Sequence, residues 1–442
     1  MNYLKRIISM YKKGIQRGIY SVCSANEFVI EALFEFNLNK DMYVLIESTA
    51  NQVNQYGGYS GMTPEDFKNY ILTIAERVGF PKERIILGGD HLGPYPWRSE
   101  SAQAAMEKAK VLIEECIKAG YCKLHIDTSM TLGDDELINN DEIIAQRTAI
   151  LIKHAEDFLN TLNNSTGKAQ RPLYVIGSEV PTPGGIINNI NASREIKQKE
   201  YADFVKMLEG FDEAFNKNNI EGIWENIIAL VVDSGADFDS TNIYRYITNE
   251  NIKNFKKYVC DKYPCLLFEA HSTDYQPRYL LRKMKDDGFI ILKVGPALTF
   301  ALREAAFMLN IMEKELMKYK DLDAQFSNFI DVLARTMQDD PEYWNCYYRG
   351  HAKNEMDVLI KYGFSDRCRY YLGKNTVKEA FLKLINNINY NHVPEFLVSQ
   401  YFNEYYAKMR EEDIKKFEAE EVIKYRIKKV LEDYYYAISD CN

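Results

Sequence analysis

Along this chain, short unbroken runs of apolar residues alternate with stretches whose apolar positions recur every three to four residues. The runs are rich in Ile, Val, Leu and Tyr, the pattern of strands buried on both faces. They predict strands over residues 19–24, 43–48, 85–90, 123–128, 174–179, 228–234, 266–271 and 290–294. The periodic stretches predict helices over 26–36, 64–78, 101–119, 141–162, 201–216, 252–262 and 278–285, with an eighth at 298–311, after Pro296. Eight strands, each followed by a helix, is the count of an α/β fold of the (β/α)8 TIM barrel type. A doubly wound open sheet has the same alternation, because sequence alone does not show closure; the barrel is the preferred reading.

The pattern changes near residue 319. From there to 442 the chain reads as helices rich in Tyr, Lys and Glu, with no strand-like run. The expected organisation is therefore a barrel catalytic domain over 1–318 and a helical C-terminal appendage over 319–442, whose plainest roles are packing and contact between identical subunits. The basic and apolar opening residues read as a surface helix, too short and too interrupted for a secretory signal.

Polar residues at the ends of the apolar runs carry the candidate chemistry. The run beginning at Arg84 closes on Asp90 and His91, the one beginning at Leu173 on Glu179, and the one beginning at Cys265 on Glu269 and His271. Only six histidines exist in the chain, and two close such strands. Parallel strands converge their carboxyl ends at the mouth of a barrel, and imidazole with carboxylate is a common ligand set for divalent metals. His91, Glu179 and His271 are thus the expected metal ligands, since charge at strand ends is costly to bury unless paired or metal-bound. Asp90 is the expected general base, with Glu269 and Asp127 the next candidates. Asp90 and His91 are neighbours and cannot both point inward on a regular strand, so one is expected beyond the strand end, where the chain turns at Gly93 and Pro94. Strand alternation puts Lys123, His125 and Asp127 on one face; His125 alone reads as a satisfied core histidine. His154, His351 and His392 fall in helices or loops and are left out.

Loops after the strands look built for a polar, anionic ligand. Asn51, Gln52, Asn54 and Gln55 crowd amides into five residues, which suits sugar hydroxyls. Gly185 follows Glu179; Ser272 and Thr273 follow the seventh strand, and Lys293 and Gly295 close the eighth. Barrels frequently bind phosphate through the loops after those last two strands. Arg367 and Arg369, from the helical region, offer planar forks for the same purpose, with a structural ion-pair network as the plainer alternative. No glycine-rich dinucleotide loop or Walker loop occurs, so a nicotinamide cofactor or nucleoside triphosphate is not indicated.

Composition narrows the partners. A formal net charge of -9 without a long basic run disfavours nucleic acid and acidic membrane surfaces. No apolar stretch approaches the roughly 20 residues that span a bilayer. The eight cysteines make no Cys-x-x-Cys pair and read as reduced thiols, so the cytoplasm is the expected compartment.

Several long motifs also resemble one family. Ser21-Val-Cys-Ser24, Asn51-Gln-Val-Asn-Gln55 with Gly57-Gly-Tyr-Ser-Gly-Met-Thr-Pro64, Ile85-Ile-Leu-Gly-Gly-Asp-His-Leu-Gly-Pro94, Gly177-Ser-Glu-Val-Pro-Thr-Pro-Gly-Gly185, Glu269-Ala-His-Ser-Thr-Asp-Tyr-Gln276 and the stretch from Leu292 to Glu304 are similar to the Z-type subunit of D-tagatose-1,6-bisphosphate aldolase. The cluster from Ser365 to Tyr371 matches as well, so the resemblance spans nearly the whole chain. It implies kinship with class II, metal-dependent ketose-bisphosphate aldolases, where an Asp-His pair resembles the acid/base followed by a metal ligand, and the later histidine another ligand. Glu179 stands where those enzymes tend to use histidine, which argues against simple bisphosphate cleavage. Family members include 4-epimerases that interconvert tagatose 6-phosphate and fructose 6-phosphate, non-catalytic subunits that support a separate Y-type aldolase chain, and chains labelled as kinases. The expected activity is 4-epimerisation of a phosphorylated ketohexose with a divalent metal ion (Zn, Mn, Ni or Co alike), the supporting-subunit role being the alternative and a kinase a distant third.

Overall fold

The computed structural model describes residues 2–136, 141–166, 169–177, 185–186, 200–263, 265–321 and 325–439. Eight parallel strands close into a barrel: β1 Ile19–Val22, β2 Val44–Thr49, β3 Ile85–Leu92, β4 Lys123–Ile126, β5 Leu173–Ile176, β6 Ile227–Val231, β7 Leu267–Ala270 and β8 Phe289–Val294. The order β1-β8-β7-β6-β5-β4-β3-β2 returns to its start, which excludes the open sheet. β1 completes the circle by pairing Ile19 with Ile291 and Val22 with Val294. Almost every strand residue is buried, because one face fills the barrel and the other meets the surrounding helices.

Helices α1 Tyr3–Lys12, α2 Glu27–Asn37, α3 Pro64–Val78, α4 Ala102–Ala119, α5 Asp141–Thr166, α6 Tyr201–Lys217, α7 Glu250–Lys262, α8 Arg278–Asp286 and α9 Pro296–Tyr319 follow in order. Local signals set their limits. Thr63 and Asp66 form a reciprocal cap at the start of α3, and Gly79 and Gly120 end α3 and α4 in the left-handed conformation that glycine adopts at little cost. A short hairpin, Asp237–Phe238 against Ile243–Tyr244, follows β6 and was not legible in the sequence.

Two regions differ from expectation. The first helix is not a surface element: Leu4, Ile7, Ile8 and Tyr11 pack with Ile19, Leu45, Ile86 and Ile290, so α1 plugs the amino-terminal end of the barrel. Nor do the C-terminal helices hang apart. After α10 Phe329–Asp339, α11 Asn345–Tyr348, α12 Lys353–Tyr362, α13 Asn375–Tyr390, α14 Glu395–Tyr401 and α15 Asn403–Glu411, the helix α16 Ala419–Ile438 wedges against α2, α8 and α9. Its Tyr434 bonds Thr273 (2.9 Å) and meets the ring of Tyr20 in β1 edge-on. Val422, Ile427 and Leu431 belong to the same apolar core as Val22 and Leu292. Among the described residues no helix is long and apolar enough to cross a membrane.

The ends of β3 and β4 approach closely where Asp127 N donates to Leu92 O (2.9 Å). A Cβ on Gly93 would lie 1.8 Å from Asp127 O, backbone against backbone, with nothing flexible to yield. Gly93→Ala is therefore expected to cost about 2–3 kcal/mol, read as a lowered denaturation midpoint; an unchanged midpoint would contradict this packing.

Candidate active site at the barrel mouth

The site begins with an irregularity in β3. The strand pairs with β4 at Gly88–Lys123 and Gly89–Leu124, then at Leu92–Ile126, so the register shifts between Gly89 and Leu92. His91 lies within this bulge at φ 48, in the left-handed region. Bulges re-aim side chains. This one lets Asp90 and His91 both reach the mouth, although a regular strand would send them to opposite faces. The expectation that one lies beyond the strand end is thus corrected: β3 runs on to Leu92.

Three imidazoles converge there. The rings of His91, His125 and His271 lie 4.9 to 5.2 Å apart, edge to face, and each carries a nitrogen within 4.8 Å of the others and of an Asp90 carboxylate oxygen. His125 is therefore not an isolated core histidine. Its Nδ1 accepts the His91 amide (3.1 Å) and stands 2.8 Å from Asp90 Oδ1, while its Nε2 is buried without a hydrogen-bond partner. The alternation of Lys123, His125 and Asp127 on β4 was the available signal. Glu179, the other ligand expected from the sequence, lies outside the described residues.

Each ring is oriented by a carboxylate, the arrangement that fixes tautomer and direction in metal sites. His91 Nδ1 contacts Asp127 Oδ2 at 2.7 Å, and His271 Nε2 contacts Glu269 Oε1 at 3.0 Å. Burial, reinforced by the Lys293 ammonium, pushes His271 down to about 3, and burial likewise lowers His125. Both are thus neutral, the form that binds metal. Burial opposes charge on His91 too, but Asp90 and Asp127 outweigh it and raise that histidine.

Beneath the rings lies a dry layer of charge. Lys123 Nζ bonds Glu47 Oε1 (2.8 Å) and Glu269 Oε2 (2.7 Å), and all three side chains are fully buried. Lys293 Nζ reaches Glu47 Oε2 (3.2 Å), Glu269 Oε1 (3.5 Å) and Asp90 Oδ1. Ser21 Oγ completes the layer by donating to Glu47 Oε1 (2.6 Å). Burial works against ionisation of Asp90, but His91, Lys293 and His125 outweigh it and hold the carboxyl well below the ordinary carboxylate range. Three carboxylates (Glu47, Asp90, Glu269) face two ammonium groups. The surplus negative charge beside neutral imidazoles is the donor set that suits a divalent cation.

Above this layer a cleft of about 660 Å³ opens to solvent, lined by Cys23, Asn51, Gln52, Tyr59, Asp90, His91, His271, Ser272, Asp274, Lys293, Arg369 and Tyr370, among others. Of the expected ligand-binding residues, Asn51, Gln52, Ser272, Lys293 and Arg369 face it. Others do not serve it as expected. Gln55 turns to α4, donating to Lys108 O (3.0 Å), and Thr273 turns outward, donating to Lys293 O (2.5 Å). The Gly295 amide is taken by Asp274 Oδ1 (3.0 Å), as is that of Ala297 (2.8 Å), so a carboxylate already occupies the start of α9. Lys293 lines the cleft, but its ammonium is spent on carboxylates rather than offered to phosphate. Arg367 lies back from the cleft, stacked on Tyr347 (3.9 Å) and Tyr370 (4.3 Å), with Nε on Tyr343 O (2.8 Å). Gly185 packs on Phe238, where a Cβ would lie 2.6 Å from the backbone oxygen. The alternative bases are enclosed: Glu269 between two lysines, and Asp127 by His91 and Ser129. Asp274, Tyr59, Tyr370 and Cys23 were not selected from the sequence, since none closes an apolar run with a metal-ligating side chain.

A closed (β/α)8 barrel with imidazoles and carboxylates gathered at its mouth defines the class of protein. Residues 4–439 match the family model described as D-tagatose-1,6-bisphosphate aldolase subunit GatZ/KbaZ-like, and the chain belongs to that family. The D-tagatose-1,6-bisphosphate aldolase subunits GatZ of Salmonella heidelberg and Salmonella typhimurium are each 42% identical over 411 residues, covering 92% of this chain and 93% of theirs. A solved structure described as a probable tagatose 6 phosphate kinase from Sinorhizobium meliloti 1021 superposes with a TM-score of 0.82 at 35% identity, covering 95% of this chain and 100% of that one.

The charged layer makes a testable demand. Lys123→Met leaves Glu47 and Glu269 facing each other with only Lys293 between them. Removing one partner of a buried ion pair costs about 3–5 kcal/mol, and chemical denaturation should register a loss of that order. A loss below about 1 kcal/mol would mean that water or protonation relieves the carboxylates.

Proposed function

We propose that this chain catalyses 4-epimerisation of a ketohexose 6-phosphate, interconverting tagatose 6-phosphate and fructose 6-phosphate by retro-aldol cleavage and re-addition. One observation carries the reading: a single chain brings Asp90, three oriented imidazoles and a phosphate-sized cationic fork, Arg369, to one cleft. The orphaned His125 Nε2 and the surplus buried carboxylate fit a divalent cation, which His91, His125 and His271 would hold, with Glu179 after β5 a further candidate. When bound, such an ion supplies Lewis-acid stabilisation of charge developing on the ketose oxygens.

The protein's own groups do the rest. Asp90, kept ionised by Lys293, takes the proton of the C4 hydroxyl as the C3–C4 bond breaks and its electrons pass to the C2 carbonyl. Arg369 and Ser272 hold the phosphate of the aldehyde half, while Asn51 and Gln52 meet hydroxyls of the other. The retained aldehyde turns and the bond re-forms on its other face, inverting C4. Release of both halves would instead be aldolase chemistry.

The names of the Salmonella relatives favour a second reading, a supporting subunit for an aldolase chain. The complete constellation favours catalysis, since a purely supporting chain has no use for oriented imidazoles. A kinase reading, suggested by the name of the Sinorhizobium protein, lacks a nucleotide loop in this sequence.

His91→Ala and His271→Ala are each expected to lose bound divalent metal, measured by elemental analysis, while circular dichroism shows the fold retained. Asp90→Asn should keep the metal and lose epimerisation, because an amide accepts no hydroxyl proton. Arg369→Gln should raise KM roughly tenfold for loss of one charge-assisted contact. The decisive assay is the metal-loaded protein alone with either hexose 6-phosphate. If both sugars stay unchanged while an added aldolase chain gains activity or lifetime, the supporting role replaces the enzymatic one.

A further inference from the structure

Inversion at C4 imposes a requirement that one base does not meet. If the phosphate stays anchored while the aldehyde turns about its C4–C5 bond, the carbonyl oxygen leaves the side where Asp90 took the proton and arrives on the other. A second proton donor must wait there. Asp90 enters the cleft from the barrel, at the end of β3, and the other wall is the segment from Phe364 to Tyr371 laid across the mouth.

That segment is anchored firmly. Asp366, at φ 44, accepts from Thr299 Oγ1 (2.5 Å) and Arg303 Nε (3.3 Å), both on α9. Phe364 stacks on Phe300 (5.6 Å), and its carbonyl accepts from the Tyr275 hydroxyl (2.6 Å). Arg369 Nη1 clasps the Ser365 and Asp366 carbonyls (2.7 and 2.8 Å). The result is to fix Tyr370 at the cleft wall, its ring packed parallel to Tyr343 (5.0 Å) and edge-on to Tyr59 (4.7 Å). Both guanidiniums attend this phenol: Arg367 at 4.3 Å and Arg369 at 4.6 Å from the ring centre, with Arg369 Nη2 donating to the phenol oxygen (3.2 Å). An oxygen that accepts from a guanidinium keeps its own O–H for another acceptor.

We propose that Tyr370 is a second catalytic acid/base, acting on the C4 oxygen from the side opposite Asp90. The inference rests on the 4-epimerase reading above. In one direction Asp90 accepts the O4 proton, the C3–C4 bond breaks, and the aldehyde turns. The C3 carbanion then attacks C4, and the new alkoxide takes its proton from Tyr370. Arg367 and Arg369 balance the phenolate that remains; burial alone would raise this phenol, but the two guanidiniums outweigh it and lower it. Asp90 returns its proton to water through the open cleft and the phenolate regains one, closing the cycle. In the reverse direction the roles exchange.

This exchange gives a signature that a structural role for Tyr370 lacks. Metal-loaded protein is mixed in excess with tagatose 6-phosphate or with fructose 6-phosphate, quenched in acid, and assayed for the three-carbon aldehyde phosphate. Wild type should form it from both. Tyr370→Phe should still cleave the epimer whose O4 faces Asp90, and lose at least about 100-fold with the other, the span of a general acid/base contribution. Asp90→Asn should show the mirror pattern, and the epimer that each variant retains reports that it is folded. Equal losses on both epimers in Tyr370→Phe, or none, overturn the assignment while leaving the epimerase reading in place. A wild-type protein that cleaves neither epimer overturns both.

Discussion

The buried layer of Glu47, Lys123, Glu269, Lys293 and Asp90 is the constraint on which the mouth of this barrel depends. Five charged groups share a space from which water is excluded, and each is tolerated only because its neighbours are of opposite sign. Nonpolar packing at this level would stabilise the barrel with less risk. What the layer secures instead is direction. Glu269 orients His271, Lys293 holds Asp90, and Asp90 in turn meets His125. The chemistry proposed for the cleft is thus set one layer down, by groups that never meet the sugar.

The bulge in β3 and the cap over the mouth solve complementary problems. A strand delivers one side chain to the barrel axis at every second position. An acid/base with a metal ligand beside it in sequence requires two in a row, and the register shift at Gly89 to Leu92 provides them. The opposite wall comes from a distant segment, pinned to α9 through Asp366 and carrying aromatic rings interleaved with guanidiniums. Barrel and cap meet at the cleft without either being complete there alone.

Much of this was legible in the sequence, for reasons that differ by element. All eight strands stood out because parallel strands are buried on both faces and read as apolar runs. Several helix limits stood out because Thr63, Gly79 and Gly120 are position-specific. Asp90, His91 and His271 were conspicuous as polar residues closing apolar runs. His125 was not, because a histidine inside a strand looks the same whether it packs or points at two others; only closure of the barrel distinguishes the cases. The helix α1 misled because its amphipathic pattern is equally that of a surface helix and of a plug. Lys293 and Gly295 sit where phosphate ligands were expected, but their pairing with Asp90 and Asp274 depends on contacts between strands and loops that no local pattern encodes. Tyr370 had no signal of its own among so many tyrosines.

The wedge formed by α16 has a consequence for how the molecule comes into being. Lys424 and Lys428 reach Glu35 (2.6 Å each), and Gly18 N donates to Ile438 O (3.4 Å), across sequence separations of roughly four hundred residues. Contacts of such span are slow to form, because loop closure must precede the burial that rewards it. During synthesis, β1 and its neighbours must wait, with one side of the wall open, until residues near 430 have left the ribosome. A nascent barrel of this topology has a long interval in which apolar strand faces stay exposed, and that makes it a natural client of the chaperones that shield such surfaces.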